Sequence, residues 1–158
     1  MEGAAHRYKA KIAWKRDGAV FSDNKYSRGH EWQFDGGITV PASSSPNVVP
    51  IPMSVENAVD PEEALVAAAS SCHLLSFLYV AAKRGYVIDS YTDEAYGVLE
   101  RVERRKMAVT RIVLRPNIAF AGAKLPTPDE LTELHHLAHE ECFIANSLKC
   151  DVVVEEAN

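Results

Sequence analysis

The sequence predicts a single α+β domain over residues 1–158, and three observations carry that expectation. Strand-like segments, a long apolar helical run, further strands, a second helix and a closing strand follow one another, an order that favours a mostly antiparallel sheet over βαβ units. The helical run, from Ala64 to Ala82, contains no Asp, Glu, Lys or Arg. The 158 residues are 47% hydrophobic and 25% charged, which supplies one core and leaves no room for a second domain.

Each element has its own signals. His6, Tyr8, Ala10, Ile12 and Trp14 alternate with Arg7, Lys9, Lys11 and Ala13, predicting a strand over 6–14 with one wet face. Arg16-Asp17-Gly18-Ala19 reads as a turn, and residues 21–40 as two short strands ended by Gly36-Gly37. Four prolines and the run Ser43-Ser44-Ser45 make 41–52 an irregular loop whose serines bond their own backbone. Asp60 as N-cap, Pro61 at the first helical position and Glu63 completing a capping box start the long helix, which Lys83, Arg84 and Gly85 end. Strands are expected over 86–102 and 107–120, with the basic cluster 101–106 on the turn between them. Thr127-Pro128-Asp129-Glu130 starts a second helix with the apolar stripe Leu131, Leu134, Leu137 and Ala138, and Val152-Val153-Val154 forms the last strand.

Composition narrows the function. Lys and Arg total 17 against 22 Asp and Glu, a net charge of −5, which argues against a nucleic-acid partner. No basic stretch followed by an apolar run marks the start of the chain, and three cysteines are too few, and odd in number, for a disulfide scaffold; the expectation is a cytoplasmic protein. Residues 64–82 are long enough for a bilayer, but Ser70, Ser71, His73 and Ser76 make them polar by that standard. They read as a central helix buried on most sides by its own protein, with no membrane partner.

Two groups of residues carry candidate chemistry. Cys72 lies several helical turns beyond Asp60, too far for the helix N-terminus to act on its thiol, so a reactive thiolate there requires a cation from elsewhere in the fold. A buried, unreactive cysteine is the alternative. His135, His139 and Cys142 are spaced i, i+4, i+7, within roughly 60° of one helix face, a three-ligand metal arrangement with Cys150 or Cys72 as a distant fourth. The reading preferred is histidines that cap or line a crowded interface, with the metal set as the alternative. The zincin pattern is absent because His136 stands where its glutamate belongs, and no GxSxG, Walker A, GxGxxG or CxxC motif occurs.

The segment Pro61-Glu62-Glu63-Ala64-Leu65-Val66-Ala67-Ala68-Ala69-Ser70-Ser71-Cys72 resembles the first-cysteine helix of the OsmC/Ohr family of thiol peroxidases. The segment from Ala138 to Leu148 resembles the family's second-cysteine motif, and the separation of Cys142 from Cys72 fits the family's spacing. Phe143, however, replaces the usual proline and His73 replaces a common aromatic. The resemblance implies an intertwined homodimer, with sheets wrapped around two central helices and two sites at the interface. It implies Cys72 as peroxidatic thiolate, Cys142 as resolving thiol, Glu62 as the active-site glutamate, an organic hydroperoxide as substrate and an external dithiol as reductant. No metal, haem or flavin cofactor is implied. The activating arginine falls on Arg28 or Arg16; Arg28 is favoured because Tyr26, Arg28 and His30 share parity and present one polar face. His30 and His73 are the expected pocket residues, and Cys150 has a structural role. Glu62 and Cys72 lie on one helix, about 15 Å apart along its axis. A glutamate that orients the arginine beside Cys72 must then come from the other subunit. The alternative function is a non-catalytic binding protein, for a metal through His135, His139 and Cys142 or for a small ligand.

Overall fold

The computed structural model describes residues 3–156. Contacts divide the chain into two units, Met1–Pro61 and Glu62–Asn158.

The first unit is a three-stranded antiparallel sheet followed by a folded loop. Strands β1 (Ala10–Ala13), β2 (His30–Phe34) and β3 (Thr39–Ala42) lie in sequence order. The strand expected over 6–14 shrinks to Ala10–Ala13, and Tyr8 and Ile12 stay exposed, because nothing in the chain covers the apolar parity of that segment. Residues 21–28 turn instead of extending, so one of the two strands expected before Val40 begins only at His30. Asp17 and Gly18 both take positive φ (51° and 78°) and Ala19 N donates to Arg16 O, the type I′ geometry that Asp-Gly favours. Gly36-Gly37 joins β2 to β3 rather than ending the pair. The serine-rich loop is tied back on itself as expected. Ser43 N donates to Val59 O and Val59 N to Pro41 O, both at 3.0 Å, while Ser43 Oγ accepts from Val55 N at 2.9 Å.

The second unit is built on α1 (Pro61–Lys83). Gly85 (φ +81°) closes it in a Schellman arrangement, with Gly85 N donating to Ala82 O and Tyr86 N to Ala81 O. Strands β4 (Val87–Asp93) and β7 (Pro116–Ala121) form one antiparallel pair; β5 (Tyr96–Glu103), β6 (Lys106–Leu114) and β8 (Asp151–Val154) form a second sheet in which only β6 and β8 run parallel. Both long strands expected from the sequence therefore break, at 94–95 and at 115. Asp93 Oδ1 ties the breaks together by accepting from Arg115 N at 2.6 Å. The basic cluster does sit on the β5–β6 turn, where Lys106 pairs with Glu103. Helix α2 (Pro128–Glu141) opens with the full capping box of Thr127 and Glu130, and the short α3 (Phe143–Ser147) follows it.

Helix α1 serves two cores. Its first half places Ala69 against Ile112, Leu114 and Val152 of the three-stranded sheet. Its second half places Phe77, Val80 and Ala81 against Leu134 and Ala138 of α2, with Ile88, Tyr91, Ile118 and Phe120 of the β4–β7 pair around them. Within its own chain 28% of the most apolar stretch of this helix is buried, and Leu75, Leu78 and Tyr79 stay 64%, 38% and 57% exposed. The sheets and α2 occupy one side, and the stripe Ser71, Leu75, Leu78, Tyr79, Ala82, at helical spacing, faces away from them. By length and composition the helix is apolar enough to cross a membrane, yet it carries buried His73 and packs as the core helix of this unit.

Candidate active site

Helix α1 carries Cys72 half-buried at its middle, and the end of α2 carries Cys142, fully buried. The chain leaves helical geometry at Cys142 (φ −77°, ψ 105°), which closes α2 and starts α3. That bend makes Cys142 an N-cap, its Sγ accepting from Ala145 N at 3.4 Å. The two thiols, distant in sequence and carried by different helices, lie close enough for Cys72 to act on the Cys142 thiol. Burial pushes the Cys142 thiol up from its ordinary pKa and the contact with Cys72 adds to this, while the Ala145 and Ile144 amides oppose it. All three cysteines are free; Cys150 packs beside the Ala69–Ile112–Leu114 core.

The residue after Cys72 is built into the interior. His73 is 1% and His135 5% exposed, and His73 Nε2 lies 3.0 Å from His135 Nδ1, with the rings stacked at 5.3 Å between centroids. Phe77 packs on both rings. One imidazole must donate to the other, an arrangement open only to uncharged rings or to a single shared charge. Burial lowers both pKa values from 6.5 to about 4, with His135 and His139 adding to the effect on His73 and Asp93 opposing it. Asp93 itself accepts from Ser70 Oγ on α1 at 2.5 Å. Nearby Tyr91 Oη is buried without a hydrogen-bond partner among the described residues, and burial pushes that phenol above its ordinary range.

The alternative three-ligand arrangement on α2 is not assembled among the described residues. No group of three or more His, Cys, Asp or Glu among the described residues is placed to hold a metal ion. His135 Nδ1 is engaged with His73 at 3.0 Å.

Glu62, in the first turn of α1, has Oε2 buried with no hydrogen-bond partner among the described residues. In the first unit, Arg28 donates from Nη1 to Asn24 O (3.0 Å) and Tyr26 O (2.5 Å) and from Nη2 to Asn24 Oδ1 (2.8 Å), and its guanidinium lies 3.8 Å from the Tyr26 ring centroid. All these acceptors are neutral. His30 Nε2 accepts from Trp32 Nε1 at 3.1 Å, which leaves Nδ1 to donate to Arg28 O at 2.8 Å. Tyr26, Arg28 and His30, which parity places on one face, line one open cleft of about 490 Å³. Its other walls are Ile12, Trp14, Phe21, Ser43, Ser44 and Pro61. Sequence reading missed Trp14, Phe21 and Ser44 as site residues; the signal was three aromatics flanking the Asp17-Gly18 turn. Arg16, the other candidate arginine, lies on that turn. The structure thus brings Cys72 to Cys142, His73 to His135, and Arg28 to His30.

The fold and this paired-thiol helix define a class. Residues 54–157 match the family model for OsmC-like proteins, and the chain belongs to that family. An OsmC-like protein of unknown function from Vibrio cholerae is 53% identical over 97% of this chain and all of its own, with a TM-score of 0.93. Organic hydroperoxide resistance proteins from Legionella pneumophila and Elizabethkingia anophelis share the fold at 16% identity, each covering 99% of this chain and all of their own, with TM-scores of 0.71. A search of curated proteins finds no match.

Proposed function

We propose that the protein is a cysteine-based reductase of organic hydroperoxides, acting as a homodimer. The observation that carries the reading is the proximity of the Cys72 and Cys142 thiols, held by two different elements of the family fold. In this reading the Cys72 thiolate attacks the distal peroxide oxygen; the O–O bond breaks, the alkoxide takes a proton and leaves as the alcohol, and Cys72 becomes a sulfenic acid. The Cys142 thiol then condenses with it, forming the disulfide and releasing water. An external dithiol restores both thiols by exchange.

Arg28 supplies the cation that Cys72 needs, exchanging neutral acceptors for charged ones, and Glu62 orients it. Two features support this: Glu62 has a buried oxygen without a partner, and Arg28 has no ion pair, each among the described residues. With Glu62 orienting the arginine beside Cys72, their spacing along one helix calls for the two residues to come from different subunits, and the exposed stripe of α1 offers apolar surface for a second copy. The test is hydroperoxide consumption with a dithiol reductant, using an alkyl hydroperoxide and hydrogen peroxide. Wild type consumes the alkyl hydroperoxide faster, Cys72→Ser falls to background, and substoichiometric peroxide yields a Cys72–Cys142 disulfide with Cys150 free by mass mapping. Consumption unchanged in Cys72→Ser, or a dominant Cys142–Cys150 bridge, removes the mechanism. Mixed dimers of Glu62→Ala with Cys72→Ser chains recover activity if the site is shared between subunits.

A further inference from the structure

Apart from Arg28, the N-terminal cleft is built from parts that the thiol chemistry does not use. One wall is aromatic: Phe21 and Tyr26 stack at 4.7 Å, and Trp14 meets them edge-on at 6.1 and 5.5 Å. Trp14 Nε1 is tied to Ser27 O, which fixes that ring, yet Trp14 and Phe21 remain 40% and 54% exposed. Rings held rigid and left partly in water form a surface ready to be covered.

Beside Ile12 and Pro61, the rest of the cleft carries a few polar groups, Arg28, His30, Ser43 and Ser44. Arg28 is the one charged residue lining it, and no carboxylate lines it. Ser44 Oγ is buried with no hydrogen-bond partner among the described residues. A buried hydroxyl left unpaired costs free energy that an incoming acceptor would recover. Next to it, Ser43 Oγ accepts from Val55 N, so its own proton is available to donate. Donors beside a guanidinium that has no carboxylate partner select an acceptor that carries negative charge. The volume of about 490 Å³ is in the range of small-molecule sites.

We propose that this cleft binds a small organic carboxylate with an aromatic or bulky apolar body. The body covers Trp14, Phe21 and Tyr26, and the carboxylate accepts from Ser43, Ser44 and Arg28. The site shares Arg28 with the peroxidase reading but needs neither cysteine, and it lies mostly outside the residues that match the family model.

The test is calorimetric titration of the full-length Cys72→Ser protein with 4-phenylbutyrate, its uncharged amide, and butyrate. Because this protein lacks the proposed peroxidatic thiol, its binding result stands apart from the fate of the peroxidase reading. The expected order is the aryl acid at least about tenfold tighter than either the amide or butyrate. In the same background Ser44→Ala weakens the acid several-fold; that side chain bonds nothing in the free protein, so the fold does not depend on it. Phe21→Ala weakens acid and amide alike. Amide binding equal to acid binding, no saturable heat with the acid at millimolar concentration, or acid binding unaffected by both variants overturns the proposal.

Discussion

His73 and His135 bond to each other in a sealed interior, whereas His30 bonds to its own segment at the wall of an open cleft. The buried pair has no water to fall back on. Each ring is the other's polar partner, and the charge that either would carry is pushed out of the physiological range. His30 has its orientation set by Trp32 and a backbone carbonyl two residues away, and Arg28 beside it is held by its own turn. The same kinds of side chain thus serve packing between helices in one unit and the shape of a ligand-sized cleft in the other. Burial, rather than residue type, separates the two roles.

The largest test of that contrast is His135→Ala. It leaves His73 Nε2 unpaired and opens a cavity against Phe77, so unfolding stability measured in urea should fall by about 3 kcal/mol. His73→Phe combined with His135→Phe should cost less than the sum of the single changes, because no orphaned nitrogen remains. Additive costs would mean that the contact at 3.0 Å contributes nothing specific.

The next test is pH. Both buried histidines have folded-state pKa values lowered to about 4 from 6.5. Between those values the unfolded chain binds more protons than the native one, so stability rises with pH across that window. It should be full above about pH 6.5 and lose a few kcal/mol as pH falls toward 4. The double phenylalanine variant should flatten that slope in a series of urea titrations.

Effects in the cleft should be smaller. Arg28→Ala removes three hydrogen bonds, but they are largely exposed and local, so a loss of about 1 kcal/mol is expected in the same urea assay. Ser44→Ala should change stability by less than about 0.5 kcal/mol, or raise it slightly, because its hydroxyl is buried and unpaired. A loss at Ser44 as large as that at His135 would erase the distinction between a structural polar cluster and a binding one.

Part of this arrangement was open to reading from the chain. The Thr127–Glu130 capping box, the Gly85 stop and the turn at Asp17-Gly18 are local, and each forms as its residues dictate. The histidines of α2 read as interface residues with metal ligation as the alternative, because helical spacing fixes which residues share a face but says nothing of what that face meets. His73 stood out as an unusual neighbour of Cys72, yet its partner lies 62 residues away. The breaks at 94–95 and at 115 escaped detection for the same reason: the bond that joins them, Asp93 to Arg115, spans 22 residues.

By itself, then, the sequence determined the α+β order of elements, the ends of both long helices and the two cysteines worth pairing. Helix caps, turns and periodicity act over a few residues and need no partner to be expressed. Tertiary structure alone decided that Cys142 comes close to Cys72, that His135 spends its nitrogen on His73, and that α1 leaves an apolar stripe uncovered by its own chain. Those outcomes depend on which surfaces meet across long stretches of chain. Burial and hydrogen-bond satisfaction at such contacts outweigh local preference, and they have no signature in the spacing of residues along the chain.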